Sequence, residues 1–247
     1  MVHVAVAPIF DARLVGAKML SPLVRELVFA RADGAPLLFE AGQWVSLVLP
    51  LGEGELRRAY SITSAPDGSP RFELAVTHVT GGPGSAYLHQ LQPGAVLTAV
   101  GPQGFFTRPL EHAHPSLFVA TGTGVAPFRS MLRAALAEGT AATPVWLLFG
   151  VRFEEDLLYR EEFLEMARAH PHVRVEFTLS RPTQGWAGRT GYVQTHVREL
   201  YAGLEAEGKG EPHVYVCGLE RMVSAVRDLI RKDMGLPRQR VHSERYD

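Results

Sequence analysis

Up to about residue 108, apolar residues come in short β-rich runs at 23–29, 43–49, 58–63, 72–77 and 96–100, with turn residues between them. The breakers are Leu51-Gly52-Glu53-Gly54, Ala65-Pro66-Asp67-Gly68-Ser69-Pro70 and Gly81-Gly82-Pro83-Gly84. Evenly spaced short strands with few helical stretches predict a small antiparallel β-barrel. The first ten residues read as a further strand. One short helix is expected over 85–90, with Ser85 as its N-cap.

After Gly101-Pro102-Gln103-Gly104 the rhythm changes. An apolar run at 117–120 leads into a glycine-rich turn, and Phe128, Met131, Leu132, Ala135 and Leu136 then recur as one face of a helix. A buried strand follows at 145–149, a helix over 156–169, and a strand in which Val173, Val175, Phe177 and Leu179 alternate. A helix over 192–201, a strand over 213–217, a helix marked by Met222, Val223, Val226, Leu229 and Ile230, and a terminal strand over 240–246 complete the pattern. Strand and helix in alternation predict an α/β doubly wound parallel sheet. The boundary falls near 104–115, which gives a barrel domain over 1–108 and an α/β domain over 109–247.

Composition narrows the class. The 247 residues suffice for two ordinary domains, and 46% apolar residues can fill two cores. Twenty-five Lys and Arg against 26 Asp and Glu leave a net charge of −1, which argues against nucleic acid as the partner. No apolar run reaches the length of a membrane helix, and the N-terminus lacks a signal-peptide pattern. The single cysteine, Cys217, excludes an internal disulfide and an all-cysteine cluster built from this chain. A cytoplasmic protein, expected to be monomeric, follows. The ten histidines show no metal spacing, since His112-x-His114 and His170-x-His172 lack further ligands, so no metal site is expected.

Two stretches carry candidate chemistry. Arg58-Ala59-Tyr60-Ser61 sets a cation and an aromatic ring on one strand face with a hydroxyl next in line. A guanidinium can grip a pyrophosphate and a phenol can stack on a flat ring, as a flavin dinucleotide requires. Thr121-Gly122-Thr123-Gly124-Val125-Ala126-Pro127 lies between a strand and a helix, where a phosphate or nicotinamide group is expected. It is not a Walker loop, and Pro127 replaces the third glycine of the usual dinucleotide fingerprint. Ser61, Cys217 and Glu244 look superficially like a nucleophile set, but no Gly-x-Ser-x-Gly elbow accompanies them.

Taken in order, these pieces resemble the ferredoxin–NADP⁺ reductase superfamily over nearly the whole chain. Arg58-Ala59-Tyr60-Ser61 is similar to its flavin motif, and Gly84-Ser85 to the segment that receives the flavin pyrophosphate. Gly101-Pro102-x-Gly104-x-Phe106 is similar to the barrel's exit, Gly-Thr-Gly-Val-Ala-Pro to the pyridine-nucleotide loop, and Val216-Cys217-Gly218 with Met222 to the later nicotinamide-side segment. Glu244-Arg245-Tyr246 resembles the terminal E-x-aromatic, although Asp247 follows.

The resemblance implies FAD on the barrel, NADP(H) on the α/β domain, and hydride passing between nicotinamide and flavin before single electrons reach ferredoxin or flavodoxin, an acidic carrier. Tyr60 is expected to fix the flavin, with Thr77 along its edge, while His78 is read as a partly exposed strand residue. Ser61, Cys217 and Glu244 are expected to border the transfer site, Thr123, Gly124 and Gly218 to meet the nicotinamide, and Tyr246 to cover the flavin. Arg152, Ser180, Arg181 and Arg189 are expected around the 2′-phosphate, with Glu154, Glu155 and Asp156 weakening that preference for NADPH. Two alternatives stand beside this reading: an NADH-dependent reductase component of an oxygenase, and a flavin-binding subunit without turnover.

Overall fold

A computed structural model describes residues 7–52, 54–109, 114–137 and 143–246. The chain divides into two compact units. The first comprises residues up to 107 together with Arg129–Ala134, and the second Arg108–Phe128 with the remainder from Ala135.

In the first unit, six strands form one antiparallel sheet: β1 (Ile9–Ser21), β2 (Val24–Arg31), β3 (Trp44–Leu49), β4 (Leu56–Ser61), β5 (Arg71–Thr77) and β6 (Val96–Gln103), in the order β4-β3-β6-β1-β2-β5. A bridge between Ile62 and Leu74 joins the two outer strands, which closes the sheet into a barrel. Alternate side chains fill it: Phe10, Ala12 and Leu14 from β1, Leu27 and Phe29 from β2, and Phe72, Leu74 and Val76 from β5. The Phe29 and Phe72 rings stack with centroids 5.6 Å apart.

Two details depart from expectation. The strand read over the first ten residues lies largely outside the described residues, and β1 instead runs on to Ser21. Its register shifts at Leu14/Gly16 and Met19/Ser21, and these irregularities break the alternation that sequence reading relies on. The short helix α1 (Pro83–Gln90) starts two residues early, with Gly82 as N-cap and Pro83 in the first turn. Ser85 is therefore not the cap. It sits inside the first turn, where its hydroxyl accepts a bond from the Val79 N–H at 3.0 Å and closes the preceding loop.

The second unit holds a parallel sheet of β7 (Ser116–Thr121), β8 (Val145–Val151), β9 (Val173–Leu179), the two-residue β10 (Arg189–Thr190), β11 (His213–Leu219) and β12 (Val241–Tyr246). Their order is β10-β9-β8-β7-β11-β12, so the chain reverses direction across the sheet between β7 and β11. The associated helices are α2 (Ala126–Ala137), α3 (Arg160–Ala169), α4 (Val197–Ala206) and α5 (Glu220–Asp228). Leu117, Val119, Val214 and Val216 face Val197, Leu200, Leu204, Val223 and Val226 in one core layer.

Three expected helices begin or end differently. Residues 154–156 form a separate 3₁₀ turn, and Tyr159 takes a left-handed conformation (φ 55°) that starts α3 afresh at Arg160. The helix expected from 192 opens as a 3₁₀ turn over Val193–Thr195, and α4 begins at Val197. After α5 the backbone widens into a π-helical turn over Leu229–Asp233.

Candidate functional site

On the first unit, the barrel brings together residues far apart in sequence. Arg58 lies opposite Leu47 and Tyr60 opposite Val45 on β3. A Cβ on the buried Gly84 would stand 3.1 Å from Leu49 Cδ1 and 3.4 Å from Arg58 Cγ. The start of α1 and the Arg58 stem are thus neighbours, and only a residue without a side chain fits between them.

Arg58 and Ala59 are exposed, Tyr60 is half-buried against the barrel core, and Ser61 is buried. Burial pushes the Tyr60 phenol up to about 12, although the Arg58 charge opposes the shift, so the ring stays neutral and available as a flat surface. Thr77 is half-buried at the end of β5, followed by His78, whose ring meets that of His89 edge-on at 5.2 Å. An exposed guanidinium whose hydrogen bond goes to the Arg57 carbonyl, a helix start approached through glycine and a neutral aromatic plate fit a flavin dinucleotide. The Ser85 hydroxyl contributes less to that fit than expected, since it is committed to its own loop.

On the second unit, the glycines at the carboxyl ends of β7 and β11 lie against each other. A Cβ on Gly124 would fall 2.3 Å from the Cys217 carbonyl oxygen and 2.6 Å from Gly218 Cα. One on Gly218 (φ +146°) would fall 2.4 Å from Thr121 Oγ1 and 2.9 Å from Met222 Cε. Gly122–Val125 form a 3₁₀ turn that hands the chain to α2, with Pro127 in its first turn and Thr123 half-buried. At the point where strand order reverses the two strand ends thereby pack backbone to backbone, at the position where sheets of this kind receive a dinucleotide.

Thr121 Oγ1 is buried there with no hydrogen-bond partner. Such a group costs about 1–3 kcal/mol unless something meets it, which suits a bound amide or hydroxyl. Motif reading had passed over this hydroxyl; its orphaned state emerges only once β7 and β11 are side by side.

Parallel pairing of β11 with β12 sets Cys217 opposite Glu244. Cys217 is fully buried, and burial first, then the Glu244 charge, pushes its thiol far up. The Tyr246 side chain hydrogen-bonds this thiol and opposes the shift. Cys217 is accordingly a neutral thiol and no thiolate nucleophile. Asp247 lies outside the described residues.

The expected phosphate cluster comes together only in part. Ser180 N–H donates to the Val151 carbonyl and Arg181 N–H to the Arg152 carbonyl, each at 3.0 Å. Arg152 and Arg181 are exposed on adjacent strand ends with Ser180 between them. Arg189 is a correction. Its guanidinium donates to both carboxylate oxygens of Glu199 at 2.8 Å and to Glu176 at 3.2 Å, so its charge is already matched. Glu154 and Asp156 are also occupied elsewhere: Glu154 pairs with Arg160 at 3.3 Å, and Asp156 accepts from the Phe153 N–H.

His112 lies outside the described residues. Among the described residues no group of three or more His, Cys, Asp or Glu is placed to hold a metal ion, and no helix is long and apolar enough to cross a membrane.

A barrel with a dinucleotide cradle and a doubly wound sheet whose strand order reverses at a glycine-lined junction define a two-domain dinucleotide oxidoreductase. Family comparison agrees: residues 11–107 match the oxidoreductase FAD-binding domain and residues 118–228 the oxidoreductase NAD-binding domain. Ferredoxin--NADP reductase B of Sorangium cellulosum (strain So ce56) is 63% identical, over 96% of this chain and 98% of that protein. The phenol hydroxylase P5 protein of Acinetobacter pittii (strain PHEA-2) is 30% identical over 96% of this chain, which spans 65% of that longer protein. A ferredoxin NADP⁺ reductase from Neisseria gonorrhoeae, solved with bound FAD and NADP, shares the fold with a TM-score of 0.78 at 22% identity, covering 97% of this chain and 99% of that one. The chain belongs to the ferredoxin–NADP⁺ reductase superfamily of flavoenzymes. Its cofactors are FAD and a nicotinamide dinucleotide.

Proposed function

We propose that this enzyme is a reductase of the ferredoxin or flavodoxin type that uses NADP(H), with FAD held by residues 1–108 and NADP(H) by residues 109–247. The observation that carries the reading is the likeness to Ferredoxin--NADP reductase B, which runs end to end along that protein. When bound, the nicotinamide supplies hydride to the flavin, which releases electrons singly.

In the first unit, Arg58 and the α1 start with Gly84 and Ser85 hold the pyrophosphate, Ala59 leaves the strand edge open, Tyr60 orients the flavin plane, and Ser61 and Thr77 border it. In the second, Gly124 and Gly218 admit the nicotinamide, Met222 packs beneath it, and Thr121 and Thr123 offer hydroxyls to its amide. Cys217 keeps its proton and fills the floor, Glu244 sets the charge beside it, and Tyr246 covers the opening. Arg152, Ser180 and Arg181 receive the 2′-phosphate. Loss of Arg189 from that group favours a second reading with a weaker phosphate preference, as in an NADH-using oxygenase reductase.

An anaerobic titration of the holoenzyme with NADPH and with NADH, followed by mixing with oxidised ferredoxin or flavodoxin, tests both readings. NADPH is expected to reduce the flavin at far lower concentration, and the carrier to reoxidise it. Equal titration by both nucleotides, or a carrier left oxidised, would contradict the proposal.

A further inference from the structure

At the amino ends of β7, β11 and β12, opposite the glycine-lined end of the sheet, four rings form one column. His114 stacks on His213 with centroids 3.9 Å apart and planes within 2°. His213 Nδ1 lies 3.0 Å from His242 Nε2, and the His242 ring stacks on Tyr215 at 4.3 Å. His114 is exposed at the end of the column, while His213 and His242 are half-buried. The buried Arg108 fixes the base of the column by donating to Ser116 Oγ at 2.9 Å and to the His114 carbonyl at 3.0 Å.

This column continues into the residues read above as the nicotinamide floor. Tyr215 is in register with His242, and two positions further on Cys217 is in register with Glu244. Side chains two apart on a strand share a face, so His242 and Glu244 project from the same side of β12. β12 is the outermost strand, paired along one edge only. At its amino end the backbone pairing with β11 and the packing of Val241 on the core are joined by the ring column and by the ion pair of Arg240 with Glu211.

We propose that His242 is a positioning residue for Glu244: the column of neutral rings holds the foot of β12 and keeps Glu244 opposite Cys217, and acid releases it. The proposal rests on the reading that gives Glu244 a part in hydride transfer.

The hydrogen bond between two imidazoles needs one donor and one acceptor; an imidazolium still donates to a neutral ring, and the acceptor is lost once acid has charged both rings. The groups acting on His213 are His114, His242, Arg240 and Arg108, none of them an acid, and Glu211 is paired with Arg240. On the β11 side the column ends at the Tyr215 phenol, itself pushed up by burial. Burial first, then the neighbouring His114, His242, Arg240 and Arg108, lowers His213 to about 4, and burial followed by His114 lowers His242.

The sign follows from linkage. A histidine lowered on folding favours the closed strand fully above its ordinary value near 6.5. It favours that strand progressively less as pH falls toward the lowered value. For His213 alone, the closed-to-open ratio at about pH 5 is roughly thirtyfold below that at pH 8.

The test uses the holoenzyme and His213→Phe, which keeps a stacking ring but takes no proton. Amide exchange protection over 241–246 and rapid-mixing flavin reduction by NADPH are measured from pH 8 to pH 5. In the wild type both are expected to fall together, protection by up to about thirtyfold. In the variant the acid fall of both should shrink, with protection already lower than wild type at pH 8 for want of the His213–His242 bond. An equal acid fall in the variant, or none in the wild type, overturns the proposal.

If His213→Phe folds poorly, an NMR titration of His213 in the wild type decides instead, since an ordinary midpoint near 6.5 also overturns it. Glu244→Gln separates the two layers. Full-rate flavin reduction at pH 8 in that variant removes the reading beneath, while the protection data still decide whether the column holds the strand.

Discussion

The two ends of the nucleotide-binding surface on the parallel sheet are built in opposite ways. At the β7/β11 junction, close packing is made possible by leaving side chains out, and Gly124 and Gly218 let two backbones approach within the reach of a single missing carbon. Along the β8/β9 flank, the proposed phosphate contacts depend on charges that are present, and what each can do depends on its neighbours. Arg152 and Arg181 stand exposed on strand ends tied by backbone bonds, whereas Arg189 is held by Glu199 and Glu176. An absent side chain has no competing partner. A cation does, and its role is settled by whichever carboxylate the fold brings closer.

The hardest test of that contrast is to crowd the junction. Gly124→Ala drives a methyl into the Cys217 carbonyl, an overpacking of about 1–3 kcal/mol with no flexible atom able to yield. Flavin content should hold, while NADPH-driven flavin reduction should slow by more than about tenfold. A stopped-flow trace equal to wild type would show that the junction can open without cost.

On the barrel, Arg58→Ala removes an exposed cation with no carboxylate partner among the described contacts. It should weaken FAD retention by about 1.5–3 kcal/mol, a ten- to hundredfold rise in Kd measured on the apoprotein by fluorescence.

The flank then separates its own members. Arg181→Ala should reduce the preference for NADPH over NADH by about tenfold, chiefly through KM. Arg189→Ala should leave that preference nearly unchanged and lower stability slightly through loss of its pairings with Glu199 and Glu176. A larger effect at Arg189 than at Arg181 would reverse the assignment. The smallest effect concerns Cys217. Its thiol is raised and buried, so alkylation of the native enzyme should stay slow and fail to accelerate between pH 7 and pH 9. A rate that climbs across that range would mean the floor is open.

How much could be read in advance follows the same division. Five barrel strands and the alternating second half were legible because period-two and helical patterns record burial directly. The long β1 was not, since bulges beside Gly16 and at Met19/Ser21 interrupt its period. Helix starts failed where backbone geometry intervened, as at the left-handed Tyr159. The glycine loop and Arg58 motif were legible as motifs, but no spacing tells that Gly84 nestles against Arg58. The pairing of Arg189 was not legible because its partners lie 13 and 10 positions away, a distance only the folded sheet collapses. The grouping of His114, His213 and His242 was invisible for the same reason.

The register of β12 on β11 has one more consequence. A strand's side chains point alternately up and down, so a slip of one residue does not nudge Glu244 by a fraction of its distance but turns it to the other side of the sheet. The tail therefore behaves like a toothed rack with two settings, engaged or reversed. Lengthening the loop before Val241 leaves the teeth meshed, whereas a single residue inserted between His242 and Glu244 inverts everything beyond it.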